Sequence, residues 1–228
     1  MSEINNSLAI LCGGKSSRMG GFFKGNLKIE EKTFLEMVYE VTSPLFDETY
    51  LIGNPDINII PFTNSENIIR IDDLYKNCGP LAGIYTALKF SKSESVFICS
   101  CDMPFIKKEK IEFLLKTHEE YGNMITIPWI DQRFNPLFGV YSSKLVKTAK
   151  DLILKRKLRV SNLFKLEKTM MVYSDDATVF KNINSTEEYE EIKKSPFLKG
   201  DKNSFPQNYK RLTSLYHKFR EIQSPSET

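Results

Sequence analysis

At 228 residues and 41% hydrophobic content, the chain is long enough for one substantial core and short for two. Its 32 basic and 29 acidic residues leave a net charge of +3, which argues against a nucleic-acid coat but leaves room for a local basic pocket. No stretch approaches the ~20 apolar residues of a membrane span, and residues 1–7 lack the basic start of a signal peptide, so a cytoplasmic protein without membrane contact is expected. The four cysteines, Cys12, Cys78, Cys99 and Cys101, form no C-x-x-C pair, and His118 and His217 are the only histidines. That supply does not suit a structural zinc site, and the thiols read as reduced and structural.

The chain opens with an apolar run, Leu8 to Cys12, of the right length for a buried strand. Gly13, Gly14, Gly20 and Gly21 follow, mixed with Lys15, Arg18 and Lys24. Such a loop can turn successive N–H groups toward an anion, with cations at hand for phosphates. It is not a P-loop, because Gly20 follows Gly14 six positions on and Lys24 precedes Gly25 rather than Ser or Thr. The dinucleotide pattern G-x-G-x-x-G is also missing.

Thr33-x-x-Glu36 has the form of a capping box and predicts a helix to about Thr42, ended by Ser43-Pro44. Thr49 to Ile52 predicts a strand closed by the turn Gly53-Asn54-Pro55. Residues 57–60 and 68–71 predict two more, the second followed by Asp72 and Asp73. A helix is expected from Pro80 to about Phe90, with proline in its first turn. Val96 to Cys101 carries no charge and predicts a central strand, followed at once by Asp102-Met103-Pro104. Further on come a helix over 107–121, strands over 124–128 and 136–141 with a turn at 131–133 between them, and a helix over 142–155. Strands over 170–173 and 178–183 follow, then a helix capped by Ser185-x-x-Glu188. This alternation predicts a three-layer α/β domain with a largely parallel sheet over residues 1–195. Residues 196–228 read as an extension with one short amphipathic helix and a flexible end.

In open α/β sheets ligands bind at the C-terminal ends of strands. That rule gathers the glycine loop, Asn54, Asp72-Asp73 and Asp102 near one crevice. Asp102 stands directly after an apolar strand, where a carboxylate can hold Mg²⁺ against phosphate oxygens. The alternative is a cap for the following helix.

The motifs LCGGKSSRMGGFFK (residues 11–24), Asp73-x5-GPLAGI (73–84), CDMP (101–104), NPLFGVY (135–141) and NINSTEE (182–188) occur in this order. Together they resemble the molybdenum cofactor guanylyltransferases. Phe23 stands where that family has Asp, and Asn135 where it has His. The resemblance implies a mixed Rossmann-like nucleotidyltransferase fold, and transfer of GMP from GTP to molybdopterin cofactor with release of pyrophosphate. It also implies that Leu11, Cys12, Gly13, Gly14, Lys24, Asn54, Asp73 and Asp102 contact GTP, that Asp102 binds Mg²⁺, and that Asn182 and Asn184 line the cofactor side. Arg18, Lys24 and Asp102 are the expected catalytic residues, Arg18 bracing pyrophosphate. Hand-over to molybdoenzymes or their chaperones would follow. The alternatives are a sister enzyme using CTP or another phosphate acceptor, and a nucleotide-binding module without turnover, for which Phe23 and Asn135 would speak.

Overall fold

A computed structural model of the chain describes residues 6–13, 23–53, 67–130, 133–174, 176–180 and 182–193. Among these residues the strands are β1 (Asn6–Leu11), β2 (Lys28–Ile29), β3 (Lys32–Thr33), β4 (Thr49–Gly53), β5 (Ile68–Asp72), β6 (Ser95–Ser100), β7 (Ile125–Ile130), β8 (Arg133–Phe134), β9 (Phe138–Ser142) and β10 (Thr169–Tyr173). The helices are α1 (Phe34–Thr42), α2 (Pro80–Phe90), α3 (Lys108–Tyr121), α4 (Val146–Leu154), α5 (Ser161–Leu166) and α6 (Thr186–Lys193).

The main sheet runs β10-β7-β9-β6-β1-β4-β5, with β8 paired to β7 and a separate β2–β3 hairpin. β1 pairs in parallel with β4 and β6, and β4 with β5. β9 runs against both β6 and β7, and β10 lies parallel to β7. The sheet is therefore mixed but mostly parallel, as expected. The C-terminal ends of β1, β4, β5 and β6 share one edge.

Strand residues alternate between two cores, as period-two geometry requires. Ala9 and Leu11 of β1, Tyr50 and Ile52 of β4, and Val96 and Ile98 of β6 pack with Leu81 and Ile84 of α2, Ala149 and Leu152 of α4, and Leu163 of α5. Leu8, Ile10, Leu51, Phe97 and Cys99 face Leu35 and Val38 of α1, and Ile111 and Leu114 of α3. All four cysteines are free and buried; burial pushes the Cys99 thiol far up, and Cys99 packs as a small apolar residue in this core. A smaller cluster of Ile29, Phe34, Ile183 and Ile192 fastens the β2–β3 hairpin and α6 to the flank.

Local signals explain how α1 and α2 begin. Thr33 Oγ1 accepts from the Glu36 N–H at 3.1 Å, and Glu36 Oε2 accepts from the Thr33 N–H at 2.6 Å, completing the capping box of α1. The Thr33 N–H and then the Thr33 hydroxyl, which donates to the same Glu36 Oε2 at 2.7 Å, lower the Glu36 carboxyl below its ordinary value. Gly79 precedes α2 with φ +65°, a conformation that favours glycine, and Pro80 opens the helix.

Several expectations need correction. The strand expected over 178–183 is not present among the described residues of that range: Ala177–Phe180 is a 3-10 helix. Val179 and Phe180 bury against the α3 side, Phe180 edge-on to Phe138, and the segment's polar backbone finds single partners instead of a ladder. The Asn135 side-chain amide donates to the Phe180 carbonyl, and the Ile183 N–H to the Asp102 carbonyl. The helix over 142–155 starts later, because Ser142 completes β9 and Ser143–Leu145 forms a 3-10 turn. Arg133 belongs to β8 rather than a turn, and α5 and the β2–β3 hairpin carried no clear periodicity. The strand expected at 57–60 and the extension 196–228 lie outside the described residues.

Candidate active site

Asp102 follows β6 on the edge where the parallel strands end. Its position is fixed by the main chain on both sides. The Cys101 N–H donates to the Leu11 carbonyl at 3.2 Å, and the Asp102 carbonyl accepts from the Ile183 N–H at 3.1 Å. The carboxylate is then oriented oxygen by oxygen. Oδ1 accepts from Ser100 Oγ at 2.6 Å and from Asn182 Nδ2 at 2.7 Å. Oδ2 is left to Lys24, whose Nζ lies 3.1 Å away. Side-chain exposure is only 11% for Asp102 and 18% for Lys24, so the pair is largely shielded from solvent.

Lys24 Nζ also donates to Asn184 Oδ1 at 2.7 Å. Its backbone opens the 3-10 helix Lys24–Asn26, whose Leu27 N–H returns to the Lys24 carbonyl. Phe23 explains why this turn holds. Its ring lies where a Cβ on Gly25 would be, 2.4 Å from Cζ, and it packs against the α1–α3 core. The aromatic residue that departs from the family pattern is thus an anchor for Lys24. Asn135, the other departure, uses its amide on the Phe180 carbonyl and its oxygen on the Leu137 N–H at 3.0 Å, which shapes the approach to β9.

Asn182 and Asn184 reach Asp102 and Lys24 because the residue between them is buried. Ile183 is fully buried in the cluster with Phe34, leaving its neighbours facing the crevice. Glu188 Oε2 accepts from the Asn184 N–H at 2.7 Å, and Ser185 Oγ accepts from the Glu188 N–H at 3.2 Å, so α6 begins as a brace for this loop.

A second group forms on the α2 side of β1. The Asp73 N–H donates to the Gly53 carbonyl at 2.7 Å, which sets its carboxylate beside the start of the glycine loop. A Cβ on Gly13 would lie 3.1 Å from Asp73 Oδ2, and one on Gly83 of α2 3.6 Å from Oδ1 and 3.2 Å from Leu11 Cδ2. Among the described residues, Asp73 Oδ1 is buried without a hydrogen-bond partner. Burial, and then the charge of Asp72, push the Asp73 carboxyl up to about 6. The Cys12 N–H is already committed to the Ile52 carbonyl at 2.6 Å, so it does not serve as an anion donor. Gly13, by contrast, is exposed at the loop's start.

The fold therefore gathers Lys24, Asp102, Asn182 and Asn184 into one hydrogen-bonded set and puts Asp73 against Gly13 and near Leu11 on the same sheet edge. Gly14, Arg18 and Asn54 lie outside the described residues. Two contributors escaped the sequence reading, Ser100 and Ile183, while Glu188 was read only as part of a helix cap. Ser100 had a signal in its place at the end of β6, two residues before Asp102. Ile183 had none beyond a motif.

A model of the MobA-like NTP transferase domain matches residues 8–168. Over 204 residues the chain is 34% identical to a Clostridium perfringens protein named probable molybdenum cofactor guanylyltransferase, covering 83% of this chain and 96% of that one. It is 31% identical over 193 residues to the molybdenum cofactor guanylyltransferase of Campylobacter jejuni, with 85% and 97% covered. In fold it resembles molybdopterin-guanine dinucleotide biosynthesis protein A from Archaeoglobus fulgidus, with a TM-score of 0.68 at 24% identity over 82% of this chain and 96% of that one. The chain belongs to the MobA-like NTP transferase family, which includes these molybdenum cofactor guanylyltransferases, and is a nucleotidyltransferase.

Proposed function

We propose that the protein transfers GMP from GTP to molybdopterin cofactor, forming the guanine dinucleotide cofactor and releasing pyrophosphate. The observation that carries this reading is the set Lys24–Asp102–Asn182–Asn184, a shielded cation, carboxylate and two amides held together at the strand ends. The names of the relatives support the choice of guanine and of molybdopterin.

In this reaction an oxygen of the molybdopterin terminal phosphate attacks the α-phosphorus of GTP, and the bond from that phosphorus to the bridging β-phosphate oxygen breaks. The nucleophile is already an anion, so no general base is needed. The barrier is the approach of two anions, and positioning with charge stabilisation lowers it. Lys24 would neutralise phosphate charge, and Arg18 would brace the departing pyrophosphate through its two-pronged guanidinium. Asp73, with a buried oxygen lacking a partner among the described residues, would accept from a hydroxyl or N–H of the nucleoside. Asn182 and Asn184 would orient the acceptor.

Magnesium suits these residues. Asp102 Oδ2 and Asn184 Oδ1 are hard oxygens that converge on one cationic group, and Mg²⁺ takes one or two such ligands together with phosphate oxygens. Asp102 and Asn184 would hold it, and when bound it would draw charge from the triphosphate as a Lewis acid. Delivery of the product to a molybdoenzyme or its chaperone belongs to the same reading.

The test is a competition assay with molybdopterin, Mg²⁺ and equal GTP and CTP, following pyrophosphate and the dinucleotide formed. GTP is expected to react at least ~100-fold faster, because a pocket pairing with guanine leaves polar groups unpaired against cytosine. Equal rates would overturn the guanylyl assignment.

A further inference from the structure

We propose that Lys24 is the resting occupant of the divalent-cation position, and that metal enters only as the triphosphate draws Lys24 away. This rests on Asp102 as the metal-holding residue and not on which base is used.

Lys24 Nζ sits 3.1 Å from Asp102 Oδ2 and 2.7 Å from Asn184 Oδ1. These are the two oxygens best suited to a divalent ion. An ammonium and a divalent cation cannot share them, because both need the same lone pairs and repel each other at contact distance. One must leave before the other enters.

The surroundings are built for such an exchange. Asp102 Oδ1 is held by Ser100 and Asn182, so the carboxylate keeps its direction without Lys24. Asn184 is fixed through its own N–H by Glu188. On the other side, Phe23 and the 3-10 turn pin the Lys24 backbone while leaving its four-carbon stem to turn. The ligand oxygens and the tether are therefore fixed, and only the ammonium has to move.

The functional consequence is ordered loading. Without nucleotide, Lys24 neutralises Asp102 and keeps divalent ions out. A triphosphate offers Lys24 new anionic partners and brings its own oxygens to the metal, so the two ligands favour each other's binding. An enzyme of this design does not hold idle metal beside its acceptor pocket.

The experiment titrates Mn²⁺ into full-length, nucleotide-free protein and reads free Mn²⁺ by electron paramagnetic resonance. Lys24→Met is expected to bind Mn²⁺ at least tenfold more tightly than wild type. Lys24→Gln, a second uncharged variant, should do the same if Lys24→Met folds poorly, and Lys24→Arg should remain weak. Lys28→Met controls for net charge, since Lys28 is exposed on β2, and should shift affinity less than twofold. Adding Asp102→Ala to Lys24→Met should abolish the gained affinity. Equal Mn²⁺ affinity in wild type and both uncharged variants would overturn the proposal, even where turnover still depends on magnesium. Gained affinity that survives Asp102→Ala would overturn it too, by placing the metal elsewhere.

Discussion

Asp102 is the residue on which most interactions converge. Replacing it with Ala removes the acceptor of Ser100, Asn182 and Lys24 together. Turnover should fall by a factor of about a thousand or more, since a metal contributes several kcal/mol of charge stabilisation and each ~1.4 kcal/mol is tenfold. Asp102→Asn keeps the shape and should stay folded while losing comparable rate. Near wild-type pyrophosphate release from either variant would remove Asp102 from the reaction. Ser100→Ala tests the orientation of the carboxylate: a hydrogen bond to a charged group contributes about 1.5–3 kcal/mol. Its loss should lower kcat about tenfold or more while KM for GTP changes little, and Ser100→Thr should restore it.

Asp73 makes a different forecast. Its carboxyl ionises at about 6 in the fold, against 3.8 ordinarily. Between these values the folded state binds more protons than the unfolded chain, so this residue's contribution to stability falls as pH rises from about 4 to about 6. Asp73→Asn should therefore melt above wild type at pH 7.5, with the gap closing near pH 4. A difference that is flat with pH would mean that Asp73 is not buried as a charge. A nucleotide that donates to Oδ1, as proposed, would favour the ionised form, so binding near pH 6 should release protons, measurable in buffers of different ionisation heat.

Among the elements, β9 is the one whose placement is least forgiving. It runs against both neighbours, and Gly139 lies where it crosses β7. A Cβ there would stand 2.6 Å from Ile127 Cγ2 and 2.7 Å from the Thr126 carbonyl oxygen. Backbone oxygen cannot move aside, so Gly139→Ala should cost at least about 1–3 kcal/mol. A melting point lower by about 2–12 °C is expected for a chain of this size. An unchanged melting point would show that β7 and β9 have room to separate. The same sheet region is tied to α3 by His118, which bonds Ser95 Oγ and Thr126 Oγ1. Burial lowers its pKa to about 4, so it remains a neutral tie at working pH.

For the whole molecule, two cores on the faces of one mixed sheet and a third cluster on its flank account for the described fold, and all three end by Ile192. Each resemblance motif also precedes residue 190. A chain ending at Ser195 should therefore keep its pyrophosphate release within about twofold of the full chain. Loss of soluble folded protein on this truncation would show that residues beyond 195 complete a core. Among the described residues no helix is long and apolar enough to cross a membrane.

Features set within one element or turn were legible in the residues alone. The uncharged β6 followed by Asp102, the capping box at Thr33 and the Gly79-Pro80 start of α2 could all be read from short spacings. Period, capping and backbone freedom act over a few residues. Tertiary structure decided what meets across the chain. Lys24 and Asn184 are 160 positions apart and Asn182 and Asp102 are 80 apart. They come together because Ile183 buries beside Phe34, an event with no local signature. The reversal of β9, the 3-10 helix at Ala177–Phe180 and the anchoring use of Phe23 have the same origin. In each case a neighbour supplied the hydrogen bond or apolar surface that the local sequence left open, and burial against it outweighed intrinsic preference.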